Sequence, residues 1–147
     1  MSQISFLNDD NSFAWENSET VAKWLNQVAE KEGSKIMELS YVYCSDLKLL
    51  EINKQYLSHD YFTDIITFDL SGHDSSIEGE IYISVERVLD NAKRFESKKE
   101  LELSRVHVHG LLHLLGYNDH SDSDREMMRN KENHYLSLLP EVPRGTF

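Results

Sequence analysis

The sequence predicts an α+β fold, a small mixed β-sheet of about four strands packed by several helices, one of which is buried. Three observations predict it. Strand-like and helix-like segments mingle in the first half, whereas helices dominate the second. One helical segment near residue 110 is apolar almost all round, the mark of a helix with no solvent face. The composition, 39% apolar and 28% charged with only two prolines and six glycines, suits one compact core over 147 residues. There is no internal repeat, low-complexity tract or Pro/Gly-rich linker, so residues 1–147 are expected to form a single domain.

Residues 2–7, SQISFL, read as a short strand before the polar cluster at 8–12. From about 17 to 32, Val21, Leu25, Val28 and Ala29 recur at helical spacing with Trp24 beside them. IMELSYVY at 36–43 has the β-branched and aromatic bias of a strand, and residues 46–57 read as helix. TDIITFDL at 63–70 and EIYISV at 80–85 form a second pair of strands, separated by a polar loop at 71–78. Val85, Val88, Leu89, Ala92 and Phe95 then mark an amphipathic helix. Ser97 and Glu100 stand at capping-box spacing and predict the start of the next helix. Gly116 can end that helix by taking a left-handed conformation. Ser121, Asp122 or Ser123 can cap a final helix containing Met127, Met128, Tyr135 and Leu138.

Fifteen Lys and Arg stand against 26 Asp and Glu, a net charge of −11. Non-specific nucleic-acid binding rests on neutralising phosphates, so this balance excludes a protein that coats DNA or RNA unaided. The most basic stretch holds Arg87, Lys93, Arg94, Lys98, Lys99 and Arg105, but Glu96, Glu100 and Glu102 interrupt it, as on a solvated helix face. A single cysteine, Cys44, allows no internal disulfide and no cysteine-based zinc knuckle. The first 20 residues have no basic n-region and no long apolar run, and no segment approaches the ~18 apolar residues of a membrane span. A cytoplasmic protein without membrane association is expected.

The histidines carry the functional signal. Four of seven lie between 107 and 120. On a helix, His109 and His113 fall about 40° apart and one turn along, on one face. Two imidazoles so placed address one point, the geometry a tetrahedral ion requires. This makes the apolar helix a metal-binding one. A ligand three residues beyond Gly116 would complete a three-residue set and leave one position for water, as in catalytic zinc sites. That residue is Asp119, the expected third ligand; His120, one step later, is the alternative. His107, about 140° from the centre of the pair, cannot share the ion and is expected to be structural or to support a ligand from behind. His59, His73 and His134 lie in polar surroundings and are expected to be solvated. The spacing His109-x3-His113-x2-Gly116-x2-Asp119 matches the longer motif of metzincin-like metalloproteases. However, Gly110 occupies the position of their glutamate base, so an ordinary zinc protease is disfavoured.

The same segment resembles the YbeY family of bacterial rRNA maturation factors, described as metal-dependent, single-strand-specific endoribonucleases. HGLLHLLGY at 109–117 agrees at every specified position with the family signature H-G-x-L-H-L-x-G-Y-D-H. LLEINKQYLSHDYFTDIITF at 49–68 resembles L-N-x-x-Y-R-x-K-D-x-P-T-D-V-L-S-F, and GEIYIS at 79–84 resembles G-D-I-x-I-S. The order and spacing of the blocks hold over roughly 40–140. The resemblance implies an α+β fold, zinc, and a role in small-subunit (16S) rRNA maturation and ribosome quality control. Two positions depart from the pattern. The third histidine of the family corresponds to Asp119, and the arginine of its Tyr-Arg pair, expected to help hold phosphate, is Leu57.

Taken together, the expected activity is a zinc-dependent endoribonuclease that acts on single-stranded rRNA. One Zn(2+) per chain would be held by His109, His113 and Asp119, with a metal-bound water as the reactive group. His120, Lys54 and His59 are the candidates to assist it. Ribosomal proteins or ribosome-assembly factors are the expected partners. A zinc peptidase-like hydrolase and a non-catalytic ribosome-assembly factor with structural zinc are the alternatives.

Overall fold

A computed structural model describes residues 3–72 and 76–147. The solvated reading of His73, part of the 71–78 loop and Ser2 of the first strand lie outside the described residues. In chain order the elements are β1 (Ile4–Asn8), β2 (Ala14–Trp15), α1 (Ser18–Lys31), β3 (Lys35–Cys44), α2 (Asp46–Leu57) and β4 (Ile65–Asp69). They continue with β5 (Ser76–Ser84), α3 (Val85–Arg94), α4 (Lys99–Leu114), α5 (Asp122–Ser137) and β6 (Gly145–Thr146). The main sheet is mixed, in the order β1-β3-β5-β4. β1 and β5 flank β3 in parallel, and β4 closes the edge antiparallel to β5. The fold is α+β.

Side chains alternate across the sheet, and each face takes a different cover. Leu39, Tyr41 and Tyr43 of β3 and Ile77, Ile81 and Ile83 of β5 face the main core. There they meet Val21, Leu25 and Val28 of α1 and Leu103, Leu111 and Leu112 of α4. On the other face, Leu49 and Ile52 of α2 pack with Cys44 and Ile66 in a smaller cluster. The α1 stripe read from the sequence is buried as expected, Trp24 included.

Three local features differ from the sequence expectation. β5 begins at Ser76, where a polar loop was expected. SIEGE is mostly polar, but Ile77 sits at the inward register and is buried, and pairing with Lys35 and Ile36 extends the strand. Ser97 does not cap α4, whose N-cap is Lys98 with no side-chain hydrogen bond. Instead the Ser97 amide donates to Ala92 O and the Glu96 amide to Lys93 O. This is a Schellman closure of α3, with Glu96 in the left-handed position at φ 53°. The two-residue pair β2–β6 was not expected; it seats Gly145 against the Phe13 ring. Of the three candidate caps, Ser121 begins α5, in a capping box with Asp124.

Candidate metal centre

α4 lies in the main core, so its side chains are sorted by the neighbour they face. Gly110 faces the sheet: a Cβ there would lie 2.9 Å from the Ile65 and Ile81 side chains. The position that carries the base in metalloprotease helices is thus filled by sheet packing. His109 and His113 emerge on another side, half-buried, with their Nε2 atoms 3.0 Å apart.

The helix ends as Gly116 requires. The Gly116 amide donates to His113 O and the Tyr117 amide to Leu112 O, a second Schellman closure, with Gly116 at φ 108°. The chain then folds back and brings Asp119 Oδ2 to 3.7 Å from His109 Nε2 and 3.4 Å from His113 Nε2. Arg125 holds this turn, donating to the carbonyls of Asp119 (3.3 Å) and His120 (2.9 Å) and to the Asp122 carboxylate.

Each imidazole is oriented through its far nitrogen. His109 Nδ1–H donates to Glu132 Oε2 at 2.6 Å, and His113 Nδ1–H donates to Tyr117 O at 3.0 Å. These partners leave both Nε2 lone pairs aimed inward, as in carboxylate–histidine–metal arrangements. Three electron-pair donors therefore converge on one point, all within 4.8 Å of one another. Ligand bonds of ~2.0–2.2 Å at tetrahedral angles place ligand atoms roughly 3.3–3.6 Å apart. The observed separations of 3.0, 3.4 and 3.7 Å bracket that spacing. The residues fit a divalent ion, and the cluster can hold one.

The electrostatics follow from the same contacts. Burial would lower His109, but the Glu132 hydrogen bond and charge, with Asp64 and Asp119 nearby, raise its pKa above the ordinary value. Burial and the His109 charge lower His113. Burial would raise Glu132, yet His109 and Arg105 keep its carboxyl below the usual range. Arg105 donates to Glu132 Oε1 at 3.0 Å, so both carboxylate oxygens are engaged. Tyr117, which orients His113 through its carbonyl, is itself anchored: its hydroxyl donates to Glu32 Oε1 at 2.6 Å. Glu32, the C-cap of α1, also accepts from Tyr135 and from Lys131.

The remaining candidates lie elsewhere. His120 is exposed and outside the three-residue cluster. Lys54 pairs with Asp60 at 3.4 Å, and exposed His59 stacks on Tyr61. Leu57 is 39% exposed. His107 is fully buried and structural: its Nδ1–H donates to Leu103 O, while Nε2 accepts from Tyr43 Oη and Trp15 Nε1. The sequence reading missed Glu132. It had one signal to find, because Glu132 stands in the buried Met128–Tyr135 stripe of α5, where a lone carboxylate needs a partner.

A cleft of about 230 Å³ adjoins the centre and shares His109 and Glu132 as walls. A larger one of about 420 Å³ lies on the opposite face of the sheet, against α2, and shares no residue with the cluster. Asp9, Glu51 and Glu80 line it together with Lys48.

Residues 3–140 match the family model described as Endoribonuclease YbeY. A protein of Cytophaga hutchinsonii named Endoribonuclease YbeY is 48% identical over 92% of this chain and 94% of its own length. A protein of Parabacteroides distasonis with the same name is 43% identical over 96% and 99%. The solution structure of a Thermotoga maritima protein superposes with a TM-score of 0.64 at 29% identity, covering 91% of this chain and 87% of that one.

Proposed function

The chain belongs to the YbeY endoribonuclease family, and on that premise we propose that it is a zinc-dependent endoribonuclease whose ion is held by His109, His113 and Asp119. The observation that carries this reading is the convergence of two inward Nε2 atoms and one carboxylate oxygen, with both Nδ1–H groups already committed. An ion bound there supplies Lewis-acid stabilisation of phosphate charge and makes water a nucleophile near neutral pH. The protein's own residues set the geometry: Glu132 and the Tyr117 carbonyl fix the rings, and Arg125 fixes the turn that presents Asp119.

The substrate in this proposal is single-stranded rRNA, cut during 16S maturation and ribosome quality control in the cytoplasm. A net charge of −11 gives the free protein little hold on RNA, which supports delivery by ribosomal proteins or assembly factors. Among the described residues no helix is long and apolar enough to cross a membrane. The peptidase alternative is weakened by Gly110, packed on Ile65 and Ile81 where a general base would have to stand.

Purified protein is incubated with single-stranded rRNA and, separately, with casein. RNA cleavage that disappears in His113→Ala is expected. Casein cleavage would point to the peptidase, and neither activity with metal retained would point to a structural zinc. Elemental analysis should find one zinc per chain, falling sharply in His109→Ala. Zinc affinity should collapse in Asp119→Ala and survive in His120→Ala; the reverse result would transfer the third ligand to His120.

A further inference from the structure

The cleft beside His109 holds groups that the metal centre does not use. Phe95, at the C-cap of α3, lines it and is 68% exposed. The Schellman turn through Glu96 fixes the chain directly after it. Arg129, on the α5 side, is 62% exposed in its side chain and approaches Glu132 Oε1 only to 3.8 Å. Half-buried Asn91 adds an amide to the lining, and Arg105 Nε has no hydrogen-bond partner although buried. Three carboxylates also line the cleft: Glu132 is engaged by His109 and Arg105, Glu102 stands 4.0 Å from Arg105 Nε, and Asp64 is half-buried. Exposed Lys93, Arg94, Lys98 and Lys99 stand on the segments that flank Phe95.

An aromatic face, an exposed guanidinium and an amide around one small cleft form a recognition set for a nucleotide. A base stacks on the ring, a phosphate meets the guanidinium, and the amide reads a base edge or sugar hydroxyl. The volume, about 230 Å³, falls below the ~300–1,000 Å³ of pockets that enclose a whole small ligand. It suits one unit of a polymer. Of the three cluster residues His109 lines the same cleft, so a unit seated there would lie beside the centre.

We propose that this cleft is a subsite for one nucleotide of single-stranded RNA flanking the scissile phosphate, its base stacked on Phe95 and its phosphate held by Arg129. This rests on the endoribonuclease reading and gives that activity a structural source of strand preference, since bases paired and stacked in a duplex offer no face to Phe95.

The test measures cleavage of a short single-stranded oligoribonucleotide by the zinc-loaded protein and its variants, with zinc content assayed in each. Phe95→Ala and Arg129→Ala should each raise KM about tenfold, the lower end of what one base–aromatic stack contributes, with zinc content unchanged. Phe95→Tyr and Arg129→Lys should recover part of the loss. Arg129→Ala should also make the salt dependence of KM shallower by roughly 0.7 in log–log slope, one phosphate contact on a single strand. In Phe95→Trp, a non-cleavable 2′-O-methyl oligonucleotide should quench the new indole, and its duplex should not. If the unaltered protein cleaves RNA but both alanine variants keep its KM and the indole is not quenched, the subsite is refuted while the activity stands. Loss of zinc along with KM would show the two residues to be structural, also against the proposal. No cleavage by the unaltered protein would remove the endoribonuclease reading itself.

Discussion

Glu132 controls the centre through one hydrogen bond. By accepting from His109 Nδ1–H at 2.6 Å, it fixes the tautomer of the neutral ring, leaves the Nε2 lone pair facing inward, and adds negative charge behind the ring that would make it a better metal ligand. Glutamine keeps the acceptor oxygen and loses the charge, and it also leaves Arg105 with only the longer contact to Glu102 at 4.0 Å. Glu132→Gln should therefore weaken metal binding by about 10- to 100-fold, read by chelator competition on folded protein; affinity equal to the unaltered chain would reduce Glu132 to a packing residue. The convergence of His109, His113 and Asp119 was legible from the chain because helix geometry ties residue i to i+4 and Gly116 fixes the return. Glu132 was not, since it joins His109 only once α5 docks on α4, and no local spacing encodes that contact.

At the scale of elements, legibility followed the period of the pattern. α1 and β3 carry one clean face each and match their expected spans closely. The first half of β5 was hidden because pairing with β3, rather than its own composition, makes SIEGE a strand. Ser97 misled for a similar reason: its amide is consumed in ending α3 before it can begin α4. α4 shows how packing limits chemistry. The sequence alone invites the thought that Gly110→Glu would restore a metalloprotease motif. The structure predicts otherwise, because a side chain at 110 enters the contact with Ile65 and buried Ile81. Placing a carboxylate there costs several kcal/mol unless it finds a partner. Gly110→Glu should lower the denaturant midpoint strongly and give no casein hydrolysis. A stable variant that cleaves casein would mean the base position is reachable after all.

Over the whole molecule, His107 ties the layers together. It joins Trp15 of β2, Tyr43 of β3 and the Leu103 carbonyl of α4 at the centre of the main core, with Tyr41 stacked on its ring. Burial pushes its pKa from 6.5 down to about 4, opposed only partly by the Leu103 hydrogen bond. The sign of the consequence is fixed. Between those values the unfolded chain binds a proton at this histidine and the native chain does not, so native stability falls as pH drops from about 6.5 to about 4. Between pH 7 and pH 5 the part due to His107 is roughly 2 kcal/mol. Glu132, whose pKa is lowered from 4.5, gives up its contribution only as pH falls below that ordinary value, under the pH 5 end of the comparison. His109 and His113 titrate nearby, so the comparison must be made on metal-free protein and against His107→Gln, which retains both. Denaturant unfolding should show a smaller drop from pH 7 to pH 5 in the variant than in the unaltered chain, by about that amount, even though the variant is less stable at both. Equal drops would mean that the buried imidazole already takes up its proton in the native state.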